Sequence, residues 1–264
     1  CTSPFRRGPL GSMVRAARVG VTRKAPKKRG SALGRPPRNA RTRTSPTGSR
    51  AQERAIVALS RDEALNRGDL EGAFRQIVRT AAHSANVRRV SIWQYGRGRL
   101  VLRCAMLYDL GRGRFARGEE LAATEYPNYF RALDSEVVIA ASDAVRDRRT
   151  RELADPYLAR HGIRSMLDAP ILVGGRLWGV LCHEATGRPR RWNHAHRLFA
   201  RALADTAALA VEAANRRQAA EALRRSEIYF RSLIESGSEL VAVLGADGKL
   251  RYLSPAADTI VGQR

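Results

Sequence analysis

The sequence predicts an α+β domain, an antiparallel sheet flanked by helices, with a long C-terminal linker helix, the start of a second domain and a disordered basic N-terminal tail. Three observations carry this reading. Residues 163–186 hold two nearly continuous apolar runs separated by Gly174-Gly175, and glycine reaches the positive φ angles of a primed hairpin turn without steric cost. Residues 87–94 alternate, with Val90, Ile92 and Gln94 on one face against Ser91 and Trp93 on the other, which is the period of a strand. Residues 192–236 form one Ala-, Leu- and Arg-rich stretch of helical composition. Because both hairpin runs are apolar throughout, the hairpin should be covered on both faces. Pro170 cannot donate to a ladder, so its amide should face an edge, a bulge or a pocket.

With 264 residues, 44% of them hydrophobic, the chain can bury one full core and part of another. The formal charge of +23 is uneven: residues 1–50 hold 14 of the 48 Lys and Arg and no Asp or Glu. Only four of the basic residues are Lys, a bias that a GC-rich coding sequence explains as well as selection for charge does. Cys1, Cys104 and Cys182 form neither a CxxC pair nor a disulfide framework, so a reducing cytoplasm is expected. No window approaches the ~20 apolar residues of a membrane helix, and no compact apolar signal-peptide core is visible.

Taken in order, residues 1–50 mix Arg, Lys, Pro, Gly, Ser and Thr without apolar periodicity. Such a segment cannot bury enough surface to offset its ordering entropy and is expected to be a disordered basic tail. A basic arm for nucleic acid or anionic lipid, a transit peptide, a solvated tail and sequence upstream of a start at Met13 all remain open. No aromatic is interleaved with the charges after Phe5, so nothing offers base stacking, and nucleic acid is not the expected partner. The chain opens on Cys1, which suggests a fragment.

Helical patterning begins at Gln52, and Asp69 can cap a helix with Leu70, Phe74, Ile77, Val78 and Ala81 on one face. After the strand at 87–94, Gly96-Arg97-Gly98 turns into a second strand at 100–108, and the glycine-rich stretch 111–118 reads as a loop. Residues 126–133 read as a short helix with Pro127 in its first turn, 137–140 as a brief buried strand, and 148–160 as a helix stopped by Gly162 with His161 at its negative end. Beyond the hairpin, steps of four and three from Leu209 give Ala213, Arg216, Ala220, Leu223, Glu227, Phe230 and Ile234. That is a marginal coiled-coil stripe, so the helix should pack on the sheet in its first half and connect in its second. Two strands, at 239–245 and 250–253, and a helix start at Pro255 follow. These cannot close a core, so the second domain is expected to be cut short.

Val90-Ser-Ile-Trp93, Asp147-Arg-Arg-Thr150 with Glu152-Leu153, Ser165-Met-Leu-Asp-Ala-Pro-Ile171, Gly179-Val-Leu-Cys-His183 and Arg190-Arg-Trp192 resemble GAF domains of bacterial signalling proteins, over roughly residues 69–218. Ser226-Glu-Ile-Tyr-Phe-Arg-Ser-Leu-Ile-Glu235, Val243-Leu-Gly-Ala-Asp-Gly-Lys249 and Tyr252-Leu-Ser-Pro-Ala256 resemble the opening of a PAS domain. The organisation so implied is a tail at 1–50, a GAF domain with its leading helix at 51–218, a helical signalling linker at 219–236 and a truncated PAS domain at 237–264. GAF followed by PAS is similar to the input half of sensor histidine kinases and diguanylate cyclases. No residue present names the output, and no catalytic domain is expected within the chain.

The resemblance implies a ligand site between the sheet and the segments that cover it. Carried onto this sequence, that site draws on Trp93, Cys104, Tyr126, Phe130, Asp143, Asp168 and His183. The Asn-Lys-Phe-Asp-Glu signature of cyclic-nucleotide GAF domains is not met, since no Lys lies between Asp69 and Gln218. Bilin-binding GAF domains offer an echo in Ala141-Ser142-Asp143, Leu177-Trp178-Gly179 and Cys182-His183. However, Ala140 and Val145 stand where that family has prolines, Glu184 stands where it has a second His, and its bilin cysteine is absent. The cofactor is therefore unknown, with bilin and cyclic nucleotide both argued against. Cys182 and His183 are adjacent on a strand, point to opposite faces and cannot share a metal without a bulge. Cys182 reads as a small buried apolar residue, His183 as a strand-end group near the pocket mouth, and Asp168 as the anchor of a backbone turn. An unidentified small ligand and a homodimer through the 192–236 helix are the expected partners.

Overall fold

The structure, a computed structural model, describes residues 46–236, 240–257 and 262. The disordered reading of residues 1–45 lies outside the described residues. Helix α1 (Pro46–Ser60) begins inside the stretch assigned to the tail. Helix α2 (Glu63–Arg67) follows, its N-terminus capped by the Asp62 side chain, which accepts from the Ala64 N–H. In helix α3 (Leu70–Ala85) the Asp69 carboxylate accepts from the Gly72 N–H at 3.1 Å, and Asn86 closes the last turn in the left-handed region. Its buried stripe is Phe74, Ile77, Val78 and Ala81.

Strands β1 (Arg89–Tyr95) and β2 (Val101–Asp109) form a hairpin. The glycine-rich stretch is not wholly a loop. It contains β3 (Arg114–Ala116), and β4 (Glu120–Ala122) follows; both pair with the free edge of β2. The Cys104 N–H donates to Glu119 O and the Gly118 N–H to Cys104 O, so the two short strands act as one kinked edge. Helix α4 (Pro127–Ser135) leads to β5 (Ile139–Ala141), which starts two residues later than the sequence pattern suggested. Val137, read as part of a buried strand, is exposed.

The helix expected at 148–160 is two pieces, a 3₁₀ turn (Arg151–Ala154) and helix α5 (Tyr157–His161). Pro156 explains the break, because it lacks an N–H and pushes the preceding Asp155 into extended backbone. Gly162 ends α5 at φ +64°.

The hairpin strands are β6 (Ile163–Val173) and β7 (Arg176–Thr186), joined by Gly174 and Gly175 at φ +56° and +75°. The sheet runs β3-β2-β1-β7-β6-β5, antiparallel at every pairing. Pro170 faces Val180 of β7, and β5 pairs with β6 only at residues 166–168, so no strand needs the missing N–H of Pro170.

Helix α6 (His194–Ser236) runs unbroken for 43 residues. It is buried on the sheet from Phe199 to Ala214 and exposed from Asn215 to Leu233. Two short strands, β8 (Ala242–Leu244) and β9 (Leu250–Leu253), then form a hairpin. Among the described residues no helix is long and apolar enough to cross a membrane.

Two cores sandwich the sheet. On one face Val90, Ile92, Met106, Leu167, Ala169 and Leu181 pack under α1, α3 and α6. On the other, Trp93, Cys104, Met166, Val180 and Cys182 pack under α4, the 3₁₀ turn and α5. Gly179 sits where β7 crosses β1 so closely that a Cβ would stand 2.0 Å from the carbonyl oxygen of Trp93. Gly179→Ala is therefore expected to destabilise the protein by about 3 kcal/mol or more. Gly174→Ala, with open space around it and only its positive φ to strain, should cost roughly 1–2 kcal/mol. Urea unfolding of the two variants checks the order, and equal losses would refute it.

Candidate functional site

The second face is closed by α4. Tyr126 stands at its N-cap, and Pro127 removes one orphan N–H. The next two amides, of Asn128 and Tyr129, donate to Glu152 Oε2 at 2.8 and 3.4 Å, and the Asn128 side-chain amide donates to Oε1. A carboxylate supplied from the 3₁₀ turn thus satisfies the start of the helix and favours its positive dipole end. With its first turn fixed, α4 drives Tyr129, Phe130 and Leu133 onto the sheet.

Beneath α4 lies a buried polar cluster. The Tyr129 hydroxyl donates to Asp168 Oδ2 at 3.0 Å and lies 3.7 Å from Cys182 Sγ. Asp168 does not anchor a turn, as its place beside Pro170 suggested. It is fully buried, and Oδ1 has no hydrogen-bond partner among the described residues. Burial first, and the nearby charge of Glu184 second, push the Asp168 carboxyl up to about 8. At neutral pH it is therefore mostly protonated, a neutral acid able to donate as well as accept. Burial likewise holds the Tyr129 hydroxyl and the Cys182 thiol well above their ordinary values and lifts Cys104 to about 12. Neither thiol is a nucleophile at physiological pH.

A second network sits beside it. Arg89 Nε donates to Glu184 Oε2 at 2.7 Å, and Tyr157 donates its hydroxyl to Glu184 Oε1. Arg89 Nη1 is 3.2 Å from His161 Nδ1, and His161 Nε2 is 2.9 Å from Glu119 Oε1. A guanidinium only donates, so Nδ1 accepts and Nε2 donates to Glu119. The chain of contacts runs from half-buried Glu119 to fully buried Glu184.

Of the residues the sequence assigns to the site, Trp93, Cys104, Tyr126, Phe130 and Asp168 are brought together in the core of this face. The Trp93 indole donates to Ser91 Oγ at 2.8 Å and meets the Tyr157 ring edge-on. Asp143 lies apart, in the loop after β5, where it pairs with Arg164 at 3.1 Å. His183 is not at a pocket mouth. Its cross-strand partners Val90 and Leu167 belong to the helix-side core, and its Nδ1 lies 3.1 Å from Leu167 O. Burial pushes that imidazole down to about 4.

Arg89, Glu119, Glu152, Tyr157 and Glu184 were not among the site residues read from the sequence. Strand β1 sets Arg89 opposite Glu184 across 95 residues of chain, and no local spacing signals that. Among the described residues no group of His, Cys, Asp and Glu could hold a metal ion. Side chains fill this face: Trp93, Tyr129, Leu133, Leu153, Leu158 and Met166 are each at most 2% exposed. A ligand entering between α4 and the sheet has to displace some of them.

The sequence profile described as the GAF domain matches residues 69–211, more than half of the chain. No curated protein matches the chain. Among solved structures, the bacteriophytochrome RpBphP3 of the photosynthetic bacterium R. palustris is similar at 16% identity with a TM-score of 0.56, over 75% of this chain and 44% of that one. The phycoerythrobilin-bound GAF domain of a cyanobacterial phytochrome is similar at 16% identity and a TM-score of 0.54, over 63% of this chain and 97% of the other. Free methionine-R-sulfoxide reductase of Neisseria meningitidis, in complex with its substrate, is similar at 14% identity and a TM-score of 0.50, over 66% of this chain and 95% of that one. At these identities the likeness is one of fold.

The Asp168 cluster carries a pH signature. Its carboxyl is raised in the folded state, so its contribution to stability is complete below the ordinary value near 4 and is lost as pH rises toward 8. Asp168→Asn, which keeps an acceptor for Tyr129 and cannot ionise, should gain on the parent protein across that window, by on the order of 1 kcal/mol per pH unit. Urea unfolding of both proteins between pH 5 and 8 measures this; a constant difference would show that Asp168 does not titrate as described. Tyr129, Cys182, Glu184 and Arg149 all act on this carboxyl, and Asp168→Asn leaves every one of them in place.

Proposed function

The chain belongs to the GAF domain family, whose domains serve as sensory modules in signalling proteins, and from that premise we propose that it is the input region of a bacterial signal-transduction protein. In this reading residues 69–211 form the sensor. A small ligand or a partner acts on the face beneath α4, and α6 carries the change toward a PAS domain that begins near residue 237. The hairpin of β8 and β9 supports that assignment of the C-terminal segment. A histidine kinase or diguanylate cyclase is the output that such an input half serves.

One observation carries the reading. Strand β6 belongs to both cores at once: Met166 and Asp168 face α4 and α5, while Leu167, Ala169 and Ile171 face α6. Lifting α4 frees Tyr129 from Asp168, and any shift of β6 that follows is felt by α6 on the other side. Close-packed interiors switch between discrete arrangements rather than deform continuously. A ligand that prefers one of two packings differing by a few kcal/mol is therefore enough to change the output.

The exposed half of α6 supplies the other requirement. Leu223 and Phe230 are exposed at heptad spacing, a seam that a second copy of the chain covers. Cross-linking of Leu223→Cys and of Glu227→Cys, each in a Cys1→Ser background, tests both points. Cross-linked dimers are expected with Leu223→Cys favoured, and Tyr129→Phe is expected to shift the ratio between the two positions several-fold. A chain that stays monomeric, or a ratio indifferent to Tyr129, would overturn the relay.

A further inference from the structure

We propose that the cleft between the outer face of α4 and residues 148–151 binds a compact phosphate-bearing anion. The cleft measures about 400 Å³ and is lined by Arg131, Arg148 and Arg151 together with Arg149 and Glu136. Among the described residues Arg131, Arg148 and Arg151 have no carboxylate within 4 Å and all three are exposed, and unlike unpaired arginines such as Arg216 they line one concavity together. Glu136 does not offset them, because its carboxylate is taken by Arg149 at 3.1 Å.

The walls are built rather than loose. Arg149 is fastened by Asp147 at 2.7 Å, by Glu136 and by the Ala140 carbonyl, and the Thr150 hydroxyl donates to Ala144 O at 2.7 Å in the interior. Arg148 and Arg151 therefore project from a fixed segment. Across the cleft, Arg131 Nη1 donates to Asn128 Oδ1 at 2.8 Å, and Asn128 is itself held by Glu152. Three guanidinium groups around one concavity focus a positive potential, and their forked donors match phosphate oxygens.

The lining also limits the ligand. No aromatic side chain is among it, so a nucleobase finds no stacking surface, and recognition falls on the charged group. The class that fits is a pyrophosphate or a small phosphorylated polyol. Such an anion would bridge α4 to the 148–151 segment, and its binding stands whether or not α6 relays a signal.

The test uses inorganic pyrophosphate and the full chain, with ³¹P resonance broadening and titration calorimetry at low ionic strength. Because the N-terminal tail is basic, the comparison is between variants. Arg148→Gln and Arg151→Gln should each weaken one site about tenfold, as should Arg131→Gln, while Arg216→Gln and Arg224→Gln on exposed α6 leave it unchanged. Arg148 and Arg151 are exposed, so their variants decide the matter even if Arg131→Gln disturbs α4. Losses no greater than those of the α6 variants would overturn the proposal. So would tighter binding of a hexaglutamate peptide to the same arginines, which would make the partner a protein.

Discussion

Alternation along β6 and β7 is the constraint on which the rest of the molecule depends. Each strand is buried on both sides, so every second residue answers to a different core: Leu167, Ala169 and Leu181 to the helices α3 and α6, Met166, Val180 and Cys182 to α4 and α5. Slipping the register by one residue would exchange the two sets and send Asp168 into the apolar helix side. The Gly174-Gly175 turn fixes the loop length that sets this register, and the close crossing at Gly179 fixes where β1 lies against it. Position of the lid and position of the long helix are thus two readings of one strand alignment.

Buried charge reinforces the same alignment. Arg89 and Glu184 face each other across β1 and β7, with Tyr157 on the carboxylate and His161 on the guanidinium. A buried ion pair is a modest source of net stability but a severe penalty when one partner is missing. Any register in which Arg89 loses Glu184 leaves a carboxylate in the core without its cation. The pair therefore discriminates against wrong alignments more than it adds to the right one. Asp168, a short distance along the same face, meets the low dielectric differently, by keeping its proton.

The fold was largely legible in the sequence where a single local rule was enough. The Gly-Gly corner, the Asp69 cap, the Pro127 start and the alternation from Val90 to Gln94 each set their element without help from distant residues. What local rules missed has identifiable causes. Edge strands β3 and β4 are three residues each and owe their existence to the open edge of β2, so a glycine-rich run there looked like a loop. Pro156 splits a pattern whose apolar spacing was otherwise helical. The site was half legible: Tyr126 and Phe130 were read as part of it and lie in its core, whereas the Tyr129–Asp168 contact, Arg89–Glu184 and the Glu152 cap of α4 exist only once strands and turns have come together. His183 was misplaced because it was read as a strand-end group, whereas β7 runs on to Thr186 and is paired on both sides at His183, which buries the imidazole in the helix-side core.

Helix α6 shows why a sensor can use so plain an element. Its first half is rich in alanine at the buried positions, Ala200, Ala204, Ala207 and Ala214, which lets the helix axis approach the sheet closely and makes the contact sensitive to small displacements of β6. Its second half leaves the sheet at Asn215 but keeps helical form, supported by pairs such as Arg217 with Glu221 at 2.8 Å. At 43 residues the rod spans about 65 Å at the usual 1.5 Å rise. In the proposed relay, a rotation set at the sheet end would be carried along this continuous hydrogen-bonded ladder rather than dissipated in a loop. In that proposed relay, strong packing at one end, a weak apolar seam at the other and no break between them would let a difference of a few kcal/mol at the sheet become a difference in how two such rods meet.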